Sequence, residues 1–339
     1  MTVAELTPKN ETTSELTRKE RSLLQESMSR LMRNKVAVIS IAFILLLTLV
    51  AFPFASFVTS YTYAEQSLQA NNAVPKWMLF ILPDNAEKYV QFSDAYWLGA
   101  DNLGRDIWSR TIYGARVSLQ VAFVASTVSL LIGIVYGSVS GYMGGIVDNV
   151  MMRIVDFLYG FPFLIVVILL QAYFKALARS GSATGFTSTL IGWNEAMGGM
   201  LFLFIAIGLI NWLGMARIAR GQVLSYKQKE FIEAAHSIGA SDTRIMFRHL
   251  LPNILGPIIV AETLAIPGYI FTESFLSFIG LGVDPPTPSW GIMISEGVQA
   301  LRTYPNQALV PAVFLSITTL AFNFLGDGLR DAFDPRLKQ

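Results

Sequence analysis

The stretch SLQVAFVASTVSLLIGIVYGSVSG, residues 118–141, carries no charged side chain from end to end, and the fold class follows from it. A helix rising 1.5 Å per residue crosses a hydrocarbon layer of about 30 Å in roughly 20 residues. Within that layer a helix satisfies its own backbone polar groups. Gly133 and Gly137 form a small-xxx-small pair that admits close approach of a second helix. Upstream, VAVISIAFILLLTLVAF opens a first span from Val36 to about Val58, with Pro53 near its far end. Downstream, four more apolar segments run approximately Phe157 to Phe174, Met197 to Gly214, Ile254 to Phe275 and Ala308 to Leu325. The expected fold is all-α and polytopic, with six transmembrane helices.

Composition agrees. Of the 339 residues 53% are hydrophobic and 14% charged, against about 25% charged in soluble domains. The chain has no Cys, which excludes thiol catalysis, disulfides and thiolate metal sites. Its two His, His236 and His249, stand in no HExxH-like spacing, so no metal site is expected. A net charge of +1 gives no general attraction to nucleic acid. No A-x-A cleavage site follows the first apolar run, which is expected to remain as a membrane helix. Glu262 and Glu273 fall in or beside the fifth apolar segment, with Pro257 and Pro267 inside it. A lipid-facing carboxylate is costly, so both acids should face protein, water or the interface.

Six spans put both termini on one side. Lys and Arg cluster before residue 36, between Arg217 and Arg248, and in the tail at Arg330, Arg336 and Lys338. The basic-rich face is expected to be cytoplasmic. The divisions that follow are a cytoplasmic segment 1–35, a first span 36–58, an extracytoplasmic loop or small subdomain 59–117, a core 118–326 with five spans, and a tail 327–339. Within 1–35, Leu23, Leu24, Met28, Leu31 and Met32 recur near helical spacing beside Arg21, Arg30, Arg33 and Lys35. That is the pattern of an amphipathic helix on the inner membrane surface, or of a solvated basic anchor.

Between spans four and five lies the segment 215–252. Met215–Ser225 consists of good helix formers apart from Gly221, and Glu230–Ser237 is a second short helical candidate. Gly239 offers a stop, and Ser241 or Asp242 can cap a further helix continuing through Leu250. Two short helices meeting at Gly239 would present a knob. Glu233 would pair with a base or cap, Ala234 and Ala235 would allow close approach, and His236 would add a polar contact.

Here the residues resemble a known family. The run EAAHSIGASDTRIMFRHLLPN, residues 233–253, is similar to the EAA loop of inner-membrane components of bacterial ABC importers. Glu233, Ala234, Ala235 and Gly239 match its head, and Leu251 and Pro252 mark the loop end. The runs LGADNLGRDIWSRTIYGARVSL (98–119) and FLSFIGLGVDPPTPSWGIMISEG (275–297) narrow the resemblance to the C-type permease of dipeptide, oligopeptide and nickel importers. The resemblance implies the type I importer architecture with an enlarged first extracytoplasmic loop. It also implies that Glu233, Ala234, Ala235, His236, Gly239, Ala240, Asp242 and Arg244 form a coupling helix against an ATPase. The implied partners are a second homologous permease, two ATP-binding subunits as a homodimer or heterodimer, and an extracytoplasmic substrate-binding protein. ATP and Mg²⁺ would be held by the partner subunits and no cofactor by this chain. The location implied is the bacterial cytoplasmic membrane and the substrate a di- or oligopeptide. A nickel or other small-solute importer is the first alternative.

Outside the knob, Gly104, Arg105, Asp106, Arg110 and Arg116 lie before a membrane entry and read as an ordered entrance or gating element. Asp284–Gly291, rich in Pro, reads as a rigid external connector whose Trp290 suits an interface. Asp148, Arg153 and Asp156 are placed for salt links in the turn between spans two and three. No G-x-x-x-x-G-K-[ST] phosphate cradle and no G-x-S-x-G elbow occurs, so no catalytic residue is assigned. An ion-gradient carrier using Glu262 and Glu273 is the second alternative. A docking knob for a motor argues against it.

Overall fold

The computed structural model describes residues 23–82, 86–180 and 184–333. Among them the regular structure is helical, with two isolated bridges, Val74 to Phe92 and Ala100 to Asp106. The leader contributes α1 (Leu23–Leu31), whose Leu31 packs with Ala37 and Ala332 while Met28 and Met32 stay exposed. Residues 1–22, including Arg21, lie outside the described part.

Asn34 caps α2 (Lys35–Ala51) by accepting the Ala37 N–H at 3.2 Å. At 17 residues α2 rises only about 25 Å, shorter than the expected span 36–58. Pro53 has no N–H to continue the ladder, and only a single turn, Ala55–Val58, resumes beyond it. Arg116 fills the gap, its Nε donating to the Ala51 carbonyl at 3.0 Å and Nη2 to that of Phe52 at 3.1 Å.

The second span is longer than the apolar pattern suggests. α3 runs Ile107–Met143, beginning where Asp106 accepts the Ser109 N–H at 2.8 Å. The preceding loop therefore ends at 106, not 117. Gly144 turns the chain into α4 (Gly145–Tyr159), and Gly160-Phe161-Pro162 separates that from α5 (Phe163–Ser180). The third span thus starts six residues later than expected and ends six later. After α6 (Phe186–Ala196), α7 (Met200–Lys227) carries the fourth span straight through Gly214 and Gly221.

Beyond α8 (Glu230–Ser237), α9 extends Asp242–Phe278, an α-turn and a π-turn at Ile245–Leu250 leading without a break into Leu251–Phe278. The fifth span therefore reaches back twelve residues from Ile254. α10 (Trp290–Gln299) is a helix the sequence pattern does not announce, and α11 (Asn306–Phe333) completes the bundle. Among the described residues five helices, α3, α5, α7, α9 and α11, are long and apolar enough to cross a membrane, and α2 is a shorter apolar one.

The most extensive packing joins α3 to α7 along a glycine seam. A Cβ on Gly137 would collide with the Ala216 carbonyl oxygen, and one on Gly133 would meet the Met215 side chain. The small-xxx-small reading therefore describes a real helix contact. Among the cores of the bundle, one holds Val121, Leu203, Ile207 and Leu276, one Leu47, Leu119, Ile270 and Phe322, and one at the knob end Met215, Val223, Ile232, Ile245 and Ile254. At the opposite end, residues 59–82 and 86–106 form a cap of short turns. Val74, Met78, Val90 and Leu98 pack with Ile107 and Met293 there. Asn306 donates to the Leu98 carbonyl at 3.0 Å, tying the cap to α11.

Candidate functional site

The knob is built by one helix stop and one helix start. Gly239, at φ +80°, ends α8 with the Ala240 N–H on the Ala235 carbonyl at 3.1 Å and its own N–H on that of His236 at 2.9 Å. This paired arrangement satisfies the last carbonyls of α8. Ser241 then caps α9, its Oγ accepting the Arg244 N–H at 3.4 Å. Ile232, Ala235, Ile245 and Leu250 are buried against α7 and α9, which seats the knob on two membrane helices. Glu233, Ala234, His236, Gly239, Asp242 and Arg244 are exposed, as are Ile238 and Phe247. The surface is therefore a mixed apolar and charged tip on a rigid base. The expected second short helix is instead the first turns of α9. Leu251 and Pro252, expected to end the loop, lie where the π-turn passes into α-helix.

A second tether reaches the knob from α3. Tyr142 donates its hydroxyl to Asp242 Oδ1 at 2.7 Å, and its carbonyl accepts Lys227 Nζ at 2.5 Å. His236 Nε2 stands 3.9 Å from Asp242 Oδ1. Neither Tyr142 nor Lys227 is singled out by pattern, because their partners are remote in sequence. Below them Arg220 forms a two-point contact with Asp148, at 2.5 and 2.6 Å, and Arg217 reaches Asp156 at 2.7 Å. The Arg220 guanidinium holds the Asp148 carboxyl below its ordinary range, outweighing the burial that would raise it. The salt links expected of Asp148 and Asp156 thus go to α7.

At the cap end, Arg105 and Arg110 share two acids. Arg105 Nε donates to Asp101 at 2.7 Å, and both guanidinium groups reach Glu296 Oε2 at 3.0 Å. Arg110 also lies 3.5 Å from Asp101. Both arginines are buried, so the network locks loop, α3 and α10 together. Burial raises the Asp106 carboxyl above its ordinary range despite its hydrogen bonds to Ser109. Gly104, at φ +71°, lies so close to Ser67 that a Cβ would strike its carbonyl. Trp290 is not at an interface: it is fully buried, its indole N–H donating to the Thr111 carbonyl at 3.0 Å. The reason is that α10 folds back against α11, α9 and α3.

Within the bundle both carboxylates face protein. Glu273 is fully buried and accepts from Ser118 at 2.9 Å and Ser277 at 2.7 Å. Glu262 accepts from Ser129 and Tyr269, each at 3.0 Å. Glu262 also borders a cavity of about 390 Å³. Glu273 is not among the residues lining that cavity.

Residues 129–339 match the family described as the binding-protein-dependent transport system inner membrane component. The chain belongs to this family. Residues 22–75 also match the N-terminal TM domain of oligopeptide transport permease C. The permease is 39% identical over 324 residues to the oligopeptide transport system permease protein OppC of Bacillus subtilis, covering 96% of this chain and 93% of that one. It is 40% identical to the dipeptide transport system permease protein DppC of the same organism, covering 98% and 91%. To the Haemophilus influenzae OppC it is 41% identical, covering 93% and 89%. The family places this permease in the membrane as a multi-pass component of an importer.

Proposed function

We propose that this chain is one of two permease subunits of an ATP-driven importer of di- or oligopeptides, and that the Glu233–Arg244 knob receives the motor's movement. The observation that carries the reading is the construction of the knob: an exposed tip on a base buried against α7 and α9. A push on such a tip tilts two membrane helices instead of deforming a loop, since packed cores resist continuous deformation. The peptide class is supported by the relatives' names, since oligopeptide and dipeptide permeases match across nearly the whole chain.

In the proposed cycle an extracytoplasmic binding protein delivers peptide to the cap end. Two ATPase subunits, holding ATP and Mg²⁺, close against the knob on the cytoplasmic face, where both termini also lie. The paired bundles then reorient to expose the passage inward. Arg105, Arg110 and Trp290 stiffen the entrance; they are positioning groups, and this chain performs no phosphate chemistry.

The test is the intact assembly in proteoliposomes, measured for peptide uptake and ATP turnover together. Glu233→Arg is expected to weaken ATPase docking or uncouple turnover from uptake while the protein still inserts. Unchanged docking and unchanged coupled uptake would defeat the assignment of Glu233. Uptake that survives without ATPase subunits but collapses with the proton gradient would defeat the ATP-driven reading.

A further inference from the structure

We propose that Glu262 and the cavity beside it form a recognition site for a primary ammonium group, the N-terminal ammonium of a peptide in transit; this rests on the peptide-import reading above. The cavity, about 390 Å³, is lined by α3, α7 and α9 together with Tyr159 of α4 and Phe163 of α5, and lies within the size range of small-ligand sites. Among its described lining residues Glu262 is the sole ionic side chain, and no Lys, Arg or His faces it there. The polar groups around the acid are neutral. Ser129 donates to one carboxyl oxygen and Tyr269 to the other, each at 3.0 Å. A carboxylate offers about four acceptor positions, so acceptor capacity remains for a ligand.

Asn211 adds to the acceptor character. Its amide nitrogen donates to the Ile207 carbonyl at 2.6 Å, which leaves its side-chain oxygen to accept from a ligand. Ser129 Oγ also stands 3.4 Å from the Asn211 backbone carbonyl, and Asn211 and Glu262 both line the cavity. An ammonium brings three donors and no acceptor, and matches this set. A peptide's carboxylate end would meet like charge there. A divalent ion would find a single carboxylate where Ca²⁺ takes six to eight oxygens. The location also ties the site to the motor. Met215 lines the cavity and belongs to the core that seats the knob, so a knob movement reshapes the cavity wall.

The natural absence of cysteine from the chain allows a direct test. Gly268 lines the cavity, and a Cβ there meets nothing within 4 Å. A Gly268→Cys variant, in the assembled importer, is treated with a cationic aminoethyl thiosulfonate or an uncharged methyl thiosulfonate. Modification is read by the mass of this subunit, with each rate normalised to that of a free thiol. A neighbouring carboxylate in low dielectric is expected to favour the cationic reagent by about tenfold. Adding Glu262→Gln should bring the ratio to about one, and Glu262→Asp should keep most of the preference. Equal ratios with and without the Glu262→Gln change, or no modification by either reagent, would overturn the site. Peptide uptake is measured in parallel with Gly268 and Glu262 intact. No uptake beside a tenfold ratio would overturn the peptide reading and leave the ammonium site standing, whereas uptake beside a ratio near one would overturn the site alone.

Discussion

Gly104 is held at φ +71° with the Ser67 carbonyl against the position a Cβ would take. Gly104→Ala is therefore expected to cost about 2–3 kcal/mol from backbone strain and collision together, seen as a lower unfolding temperature in detergent. Trp290 lets packing be separated from hydrogen bonding. Trp290→Ala leaves a void and should cost about 3–5 kcal/mol, while Trp290→Phe keeps most of the volume and loses the bond to Thr111, about 1 kcal/mol. Similar losses for the two variants would contradict that division. Asp148 gives a pH signature. Its carboxyl is depressed in the folded protein by Arg220, so its contribution is present above the unfolded value and is lost as pH falls through the lower folded value. Asp148→Asn should accordingly reduce stability at neutral pH, and the gap to the parent protein should close in acid below about pH 4. A gap that widened in acid would refute it.

Among the elements, the α3–α7 seam distinguishes a glycine of α3 from one of α7. At Gly137 an added methyl has no room, whereas at Gly221 it meets nothing within 4 Å. Gly137→Ala is expected to lower the unfolding temperature, and Gly221→Ala to raise stability by up to about 1 kcal/mol through helix propensity. The reverse order would mean that the seam is not the tightest contact. These elements also show what a sequence reveals. Gly133 and Gly137 are legible because four-residue spacing places both on one face, and Glu230–Ser237 because Gly239 supplies its stop. The reach of α9 back to Asp242 is not. Pro252 reads as the end of the loop, yet the π-turn at Ile245–Leu250 precedes it and the helix continues through it. α10 is hidden because Trp290–Gln299 is short and its start depends on a cap by Ser289.

For the whole molecule, the helices divide by what covers them. In the apolar window of α7, 56% of residues are buried inside the chain, but only 11% in that of α5. Leu169 and Tyr173 on α5 stand exposed, so lipid or the proposed second permease must cover them. Leu169→Lys is expected to cut the yield of assembled complex severalfold, by about 3 kcal/mol of insertion cost near the membrane centre. Co-purification with the partner subunits measures it, and an unchanged yield would place Leu169 in contact with water. Between the ends of the bundle, Tyr142, Lys227 and Met215 connect knob, α3 and the Glu262 cavity into one packed unit.

Local residue patterns are enough to establish a helical membrane permease with an exposed knob: long uncharged runs can be solvated only by lipid, and the spacing from Glu233 to Pro252 is a local signal. They also require Glu262 and Glu273 to avoid lipid. That Glu262 opens on a cavity, how Arg105 and Arg110 come to share Asp101 and Glu296, and why Trp290 is buried follow from the folded arrangement alone. Those outcomes rest on groups brought together from distant parts of the chain, and periodicity along one helix carries no record of which neighbour covers each face.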